Sequence, residues 1–424
     1  MPLPLQIDHA NKSVSLNIRA PEFFNDPYPT YQQLQETCPM FFWKEHEFWT
    51  FTSFSDVASI LRDRRFGRQI DHLKSRAERG LPPITETLKP FFDVDKLSML
   101  GLEPPSHTRL RSLVQKAFMA RQIEQLRPRI ESLCHQLIDD IISGPSHGVQ
   151  EFDILKTYAT PIPVLVIAEM LGVPTEMAPE LLRWSHTMVK MYEMERTPND
   201  EMAAVDASKE FVAYLRSLVA NRRKQPAEDL ISQLIAVESQ KEKLTEDELI
   251  SNCILLLNAG HEATVNVIGN GLLALLQNLE QLELWRGADP DDMEFHRLAV
   301  EELMRYDTPL HQFNRWVLEP LELYGQQFEI GQEVALLLGA ANRDANEFES
   351  PHQLDLQRQH NPHVSLGGGI HYCLGAPLAR LELQIAFPVL LKRLSEISLV
   401  EEPVFKNSFH FHGLESLKVS FRGS

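Results

Sequence analysis

Between Thr245 and about Asn278 the chain carries one helical pattern whose middle is apolar on nearly every face, densest from Cys253 to Ala259. A helix with a single apolar stripe lies on a surface, whereas one that is apolar all round belongs inside a core. At 1.5 Å per residue this one is expected to be on the order of 50 Å long. Its start is marked by Thr245-Glu246-Asp247-Glu248, the spacing of a capping box, in which the Thr and the acid three residues on satisfy each other's free N–H groups. A rod of this kind needs other helices around it, and the sequence supplies them. A short helix opens at Asp26-Pro27-Tyr28-Pro29 and runs to about Glu36, a helical pattern begins at Ser55, and long helical patterns dominate from Pro105 onward. Phe41 to Phe51 alternates like a pair of strands, and a proline-containing, loop-like region fills about Gly67 to Pro105. Past Met304 come β-like segments at Trp316 to Leu323 and Glu329 to Leu338. A Gly-rich loop at Gly367 to Gly369, a helix from Leu374 to about Leu394 and a last strand near Leu417 to Phe421 complete the chain. The expected class is α+β, mostly α with a small β region, and with no repeat or low-complexity linker we expect one domain over residues 1–424.

Composition narrows the function classes. Lys and Arg number 41 against 59 Asp and Glu, a net charge of −18, which argues against a general binder of nucleic acid or anionic membrane. No stretch approaches the roughly 18 apolar residues of a spanning helix, and Pro2, Asp8, His9 and Lys12 interrupt the N-terminus, so neither a membrane anchor nor a signal peptide is expected. Four dispersed cysteines (Cys38, Cys134, Cys253 and Cys373) form no paired framework, which fits a reducing, cytoplasmic location.

The strongest local signal is Leu366-Gly367-Gly368-Gly369-Ile370-His371-Tyr372-Cys373-Leu374-Gly375. Glycines allow positive φ and a close approach to a flat ligand, and the N–H groups at the start of the following helix favour a thiolate at Cys373. A thiolate so placed is a metal ligand or a nucleophile; a Gly-rich turn around an inert cysteine is the plainer reading. The segment resembles the haem-binding loop of the cytochrome P450 family, Phe-x-x-Gly-x-x-x-Cys-x-Gly, with Leu366 in place of the Phe. The resemblance implies haem b, with Cys373 as the ligand to its iron and Leu366, Gly367 and Gly375 around it, lying between the long central helix and the cysteine loop.

Three further motifs stand in the family's order. Glu302-Leu303-Met304-Arg305 matches Glu-x-x-Arg, a spacing that also occurs at Glu180 to Arg183 and at Glu294 to Arg297, where an exposed pair is worth about 0.3 to 0.5 kcal/mol. What distinguishes Glu302 is the Asn342-Arg343-Asp344 and Pro351 to Asp355 region downstream; by resemblance Glu302, Arg305 and Arg358 form a buried network that holds the cysteine loop. In the middle of the long helix, Ala259-Gly260-His261-Glu262-Ala263-Thr264 lacks the second His of a zinc-protease motif and resembles the family's oxygen-activation site. There Gly260 makes room for O₂ and Glu262 relays protons. The family's alcohol position is Ala263 here, and Thr264, about 100° around the helix, or an ordered water or a substrate hydroxyl takes over the hydrogen bond. In Pro105 to Arg111, His107 and Arg111 at i and i+4 share a helix face; with Arg315 and His371 they match haem propionate contacts. Arg109, Lys116 and Arg121 look outward as a basic patch for an acidic electron donor. Leu97, Leu310, Phe313 and Phe411 are expected around the substrate, although each fits a plain core position equally.

The resemblance spans nearly the whole chain and implies a monooxygenase that inserts one oxygen atom from O₂ into an apolar small molecule, by hydroxylation or epoxidation. Electrons would come from a ferredoxin or flavodoxin with its reductase. Two alternatives stay open: a peroxide-driven peroxygenase, and a silent member that only binds haem, a ligand or a carrier protein.

Overall fold

The structure, a computed structural model, describes residues 3–143, 149–193, 195–238, 244–394 and 396–422. Among the described residues helices dominate, and around them sit one seven-stranded sheet and three sheets of two or three strands. The large sheet runs in the order Leu5–Asp8, Ser13–Leu16, Met40–Trp43, Phe48–Phe51, Glu333–Leu337, Gln312–Val317, Phe66–Gly67. Its junction is parallel, with Val334 opposite Trp49, so strands nearly 300 residues apart in sequence meet there. The two-residue period explains why both faces are covered: Ala335 and Leu337 join the core of Phe41, Trp43 and Phe409, while Val334 and Leu336 join that of Phe51, Val57 and Phe328. The strand pair expected within Phe41 to Phe51 is present and antiparallel.

Two expectations about helices change. The proline-containing region between Gly67 and Pro105 is not all loop, because Lys89–Asp95 is helical with Pro90 in its first turn, where a missing N–H does no harm. The central helix is not one rod. It runs Glu246–Ala259, opens at Gly260 and His261, and resumes as Glu262–Gln277. The capping box at its start is formed, Thr245 Oγ1 accepting from the Glu248 N–H at 3.2 Å and Glu248 Oε2 from the Thr245 N–H at 2.9 Å. With the rod divided, the 27-residue helix Pro198–Lys224 is the longest among the described residues. Both halves of the central helix remain in the main core, alongside Met293–Tyr306 and Ala376–Arg393. The helix break thereby faces the glycine-rich loop.

Candidate functional site

A cavity of about 490 Å³ lies between the helix break and the glycine-rich loop. Leu366, Cys373, Leu374 and Gly375 line one wall, and Gly260, Ala263 and Thr264 the other. Val94, Met99, Met188, Leu310, Phe313 and Phe411 supply hydrocarbon between them. Of the expected substrate residues, Leu97 is absent from this lining. Its neighbours Ser98 and Met99 face inward at the turn after Lys89–Asp95, and Leu97 offers only its backbone carbonyl, to Asn252 at 3.4 Å.

The cysteine wall is held by its backbone. Gly367 and Gly369 have φ of +71° and +64°, and a Cβ on Gly369 would lie 2.4 Å from the Leu61 carbonyl, so no other residue fits there. The Cys373 N–H donates to the Leu366 carbonyl at 2.9 Å and closes the loop. Asn342, which sequence reasoning did not single out as a site residue, ties the loop to the helix behind it. Its side-chain amide donates to the Thr308 and Ser365 hydroxyls, both at 2.7 Å, its carbonyl oxygen accepts from the Val364 N–H at 2.8 Å, and Ser365 donates onward to the Met304 carbonyl at 2.7 Å. Burial pushes the Cys373 thiol above its ordinary value; the N–H groups of Gly375 and Ala376 and the charges of Arg111 and Arg380 offset only part of that. The N–H groups at the helix start do favour the thiolate, as expected, and burial opposes them.

Glu302 and Arg305 are wholly buried. Arg305 Nε and Nη2 meet the two Glu302 oxygens at 2.8 Å each, and its remaining hydrogens go to the carbonyls of Asn342 (2.9 Å), Pro351 (2.8 Å) and Gln353 (3.3 Å). Arg358 Nε reaches Glu302 Oε2 at 3.0 Å, and the Asp355 N–H reaches Oε1 at 2.9 Å. The same motif two turns earlier, Glu294 and Arg297, is 64% and 49% exposed and touches only itself. Next to the network, burial pushes the Glu301 carboxyl up, but Arg380 and His363 outweigh it and bring it down to about 2.

The opposite wall is built on the break. A Cβ on Gly260 would stand 2.6 Å from the Leu256 carbonyl and 3.0 Å from Ile167, so what this glycine relieves is crowding at the break, in addition to any room it leaves in the cavity. Thr264 and Ala263 both line the cavity, whereas Glu262 is not part of the lining. Glu262 Oε1 pairs with Lys406 Nζ at 3.2 Å and Oε2 with His186 Nε2 at 3.1 Å. Burial raises its carboxyl, but His186, Lys406 and His261 prevail and hold it at about 2, so it stays ionised.

A cationic corner adjoins the cysteine wall. The rings of His107 and His371 are 4.5 Å apart, both nitrogens of His107 and Nε2 of His371 are buried without hydrogen-bond partners, and burial, with His371 and Arg111, lowers His107 to about 4. Arg315 is lowered to about 9 by burial and by the neighbouring Arg68, whose own buried Nε is also unpartnered. Arg111 Nη2 donates to the Tyr372 carbonyl at 2.6 Å. Arg68 was not singled out from sequence, since nothing around it forms a motif. Glu103 Oε1, 3.7 Å from His371 Nε2, already faces that ring, but the N–H of His107 and the Nε–H of Arg68 are left without acceptors, a need that anionic groups meet. Two carboxylates of a cofactor answer that need, and a Cβ on Gly375 would find only Cys373 Sγ, at 4.0 Å, so the wall beside the thiol is open for a flat group. The residues therefore fit haem. The outward basic patch is smaller than expected: Arg109 pairs with Glu248 of the central helix, and only Lys116 and Arg121 of the three are exposed without that tie.

A family model for cytochrome P450 matches residues 70–414. The chain belongs to the cytochrome P450 family. This P450 is 37% identical over 411 residues to the polyketide-biosynthesis cytochrome P450 PksS of Bacillus subtilis (strain 168), covering 94% of this chain and 96% of that protein. With the 6-deoxyerythronolide B hydroxylase of Saccharopolyspora erythraea it shares 34% identity, over 96% of this chain and 99% of that one. Among solved structures, P450BioI in complex with an acyl carrier protein ligated to hexadec-9Z-enoic acid superposes with a TM-score of 0.86 at 34% identity, covering 94% of this chain and 100% of that chain. The P450 fold, the haem iron cofactor and the monooxygenase class follow from this membership. Among the described residues no helix is long and apolar enough to cross a membrane.

Proposed function

We propose that this P450 inserts one oxygen atom from O₂ into a C–H bond or alkene of an apolar small molecule, with Cys373 as the iron ligand and a ferredoxin or flavodoxin, with its reductase, as the electron source. The observation that carries this reading is the shared cavity, with the Cys373 thiol on one wall, Gly260, Ala263 and Thr264 on the other, and a hydrocarbon lining between. Bound haem with a Cys thiolate on its iron supplies the oxygen-activating chemistry. As the ligand to iron, Cys373 would be a thiolate, its proton released to solvent, and the N–H groups of Gly375 and Ala376 with the charges of Arg111 and Arg380 would stabilise the sulfur's charge. His107, Arg111, Arg315, His371 and Arg68 bind the cofactor's carboxylates. Thr264 holds a proton at its Oγ1 within the cavity, and Glu262 relays one when Lys406 and His186 release it. Leu310, Phe313 and Phe411 exclude water and orient the substrate, while Glu302, Arg305 and Arg358 keep the cysteine loop in place.

A relative named for polyketide biosynthesis, another named as a 6-deoxyerythronolide B hydroxylase, and a neighbour bound to a fatty-acyl carrier protein direct the substrate search toward long acyl and macrolide skeletons. Spin-state shifts of the ferric enzyme across fatty acids, macrolides, terpenes and steroids will find binders. A binder that yields product in proportion to O₂ consumed, with a ferredoxin system present, supports the proposal. Binding without product, or turnover that peroxide drives far faster than any reductase, contradicts it.

A further inference from the structure

Three side chains converge behind the helix break, none of them lining the cavity. His186 Nε2, from the helix Ala178–Val189, lies 3.1 Å from Glu262 Oε2, and His261 Nε2 stands 3.7 Å from that same oxygen. All three ligand-type atoms are within 4.8 Å of one another. His261 is 3% exposed, and its Nδ1 lies 2.9 Å from the Leu257 carbonyl. A carbonyl only accepts, so Nδ1 carries a hydrogen, and in the neutral ring Nε2 carries the lone pair. That Nε2 is buried with no hydrogen-bond partner. A lone pair and a carboxylate oxygen thus face each other with no hydrogen between them, an arrangement that a cation satisfies.

We propose that His186, His261 and Glu262 form a three-ligand site for a divalent transition cation of the zinc type, with water in the fourth position. Tetrahedral zinc with ligands at about 2.0 to 2.1 Å places its N and O donors about 3.3 Å apart, close to the separations of 3.1 and 3.7 Å here. The Nδ1–H of His261 on a backbone carbonyl is the orientation that metal-bound imidazoles adopt. Lys406 engages Oε1 and leaves Oε2 to the shared point, and the half-exposed His186 gives a path from solvent. Two imidazoles with a single carboxylate select against magnesium and calcium, which take oxygen ligands. The other His-rich cluster, Asp307, His311 and His412, is different. Tyr31 occupies His311 Nδ1 and leaves its Nε2 unpartnered, but Asp307 and the Phe24 carbonyl occupy both nitrogens of His412, so this ring has no lone pair to offer a cation.

A bound cation would join the Ala178–Val189 helix to the break and take the Glu262 carboxylate. The effect on turnover rests on the proton role proposed for Glu262, so binding is measured separately. Chelator-stripped, haem-loaded protein is titrated with Zn²⁺ against a chromophoric zinc indicator, for the parent, His186→Ala and Glu262→Gln, each first checked for an unchanged Soret band and melting temperature. The site predicts one equivalent of zinc in the parent, held at least tenfold more tightly than in either variant and undisturbed by excess Mg²⁺. No stoichiometric uptake, or uptake that both variants retain, overturns it. If zinc binds as predicted but O₂-dependent turnover is unchanged, the site stands and the role of Glu262 falls.

Discussion

The two walls of the cavity are built on opposite plans. Behind the cysteine wall the Glu302 carboxylate is sealed among fixed partners: it accepts from Arg305, Arg358, the Asn361 side-chain amide and the Asp355 N–H, and Asn342 fastens Val364 and Ser365 to the helix behind the loop. At the opposite wall the backbone is interrupted, and the acid beside the interruption is bound to a half-exposed His186 and to Lys406. A ligand to iron needs one fixed position, which a buried network with no spare partner provides. A group that hands over protons needs partners that can let go, which solvent contact provides. The difference lies in burial and not in residue type, because Glu294 and Arg297 repeat the Glu302 and Arg305 spacing on the same helix yet stand in water.

This contrast can be broken at either wall. Arg305→Ala leaves the buried Glu302 carboxylate with Arg358 as its one charged partner and two backbone carbonyls without a donor, a loss of up to about 3–5 kcal/mol against a total stability of about 5–15; much less folded, haem-loaded protein is expected, scored by soluble yield and Soret absorbance. Asn342→Ala removes the acceptor of the Val364 N–H and the donor to Ser365, at about 1–3 kcal/mol for each group left unsatisfied. It should fold, with a lower melting temperature and faster transfer of haem to an acceptor apoprotein. At the other wall, Glu262→Gln and Thr264→Ala should leave melting within a few degrees of the parent while lowering product formed per O₂ consumed, by about tenfold or more if each carries a proton; unchanged coupling in both would remove the proposed proton roles.

Titration separates two regions around the cavity. Burial lowers His410, on the substrate side, to about 4. Between pH 6.5 and 4 the unfolded chain takes up a proton there that the folded chain refuses, so stability should fall as pH drops through that window, and His410→Phe should shrink the step, leaving the share of His107, which is lowered to the same range. Glu301, near the cysteine loop and held at about 2, contributes stability at neutral pH that is lost only as pH falls from about 4.5 toward 2. Melting curves across pH 2–8 check both steps. The smallest effect belongs to Arg297→Ala, expected within about 0.5 kcal/mol of the parent as a surface substitution.

Much of the cysteine wall could be read from the chain because its groups occur as local patterns, the glycines around Cys373 and the acid and base at Glu302 and Arg305. The helix class and the strand pair near Phe42 were legible for a similar reason, since periodicity is a property of neighbours. The helix break was not, because apolar residues continue on both sides of Gly260 and the reason to interrupt lies in crowding with Leu256 and Ile167. Arg68, His186 and Lys406 were invisible as site residues for a related cause. Each is a lone polar residue whose meaning comes from a partner far away in sequence, as Lys406 and Glu262 are 144 residues apart. Leu97 shows the converse, a hydrophobic residue in the expected segment whose neighbours take the lining.

The central claim, that Cys373 is the iron ligand, is tested most directly by the carbon-monoxide difference spectrum of the reduced protein beside that of Cys373→Ser. The account predicts the red-shifted Soret band of a thiolate ligand in the parent and its disappearance in the variant. The same band in both proteins, or its absence from a fully haem-loaded parent, would contradict it.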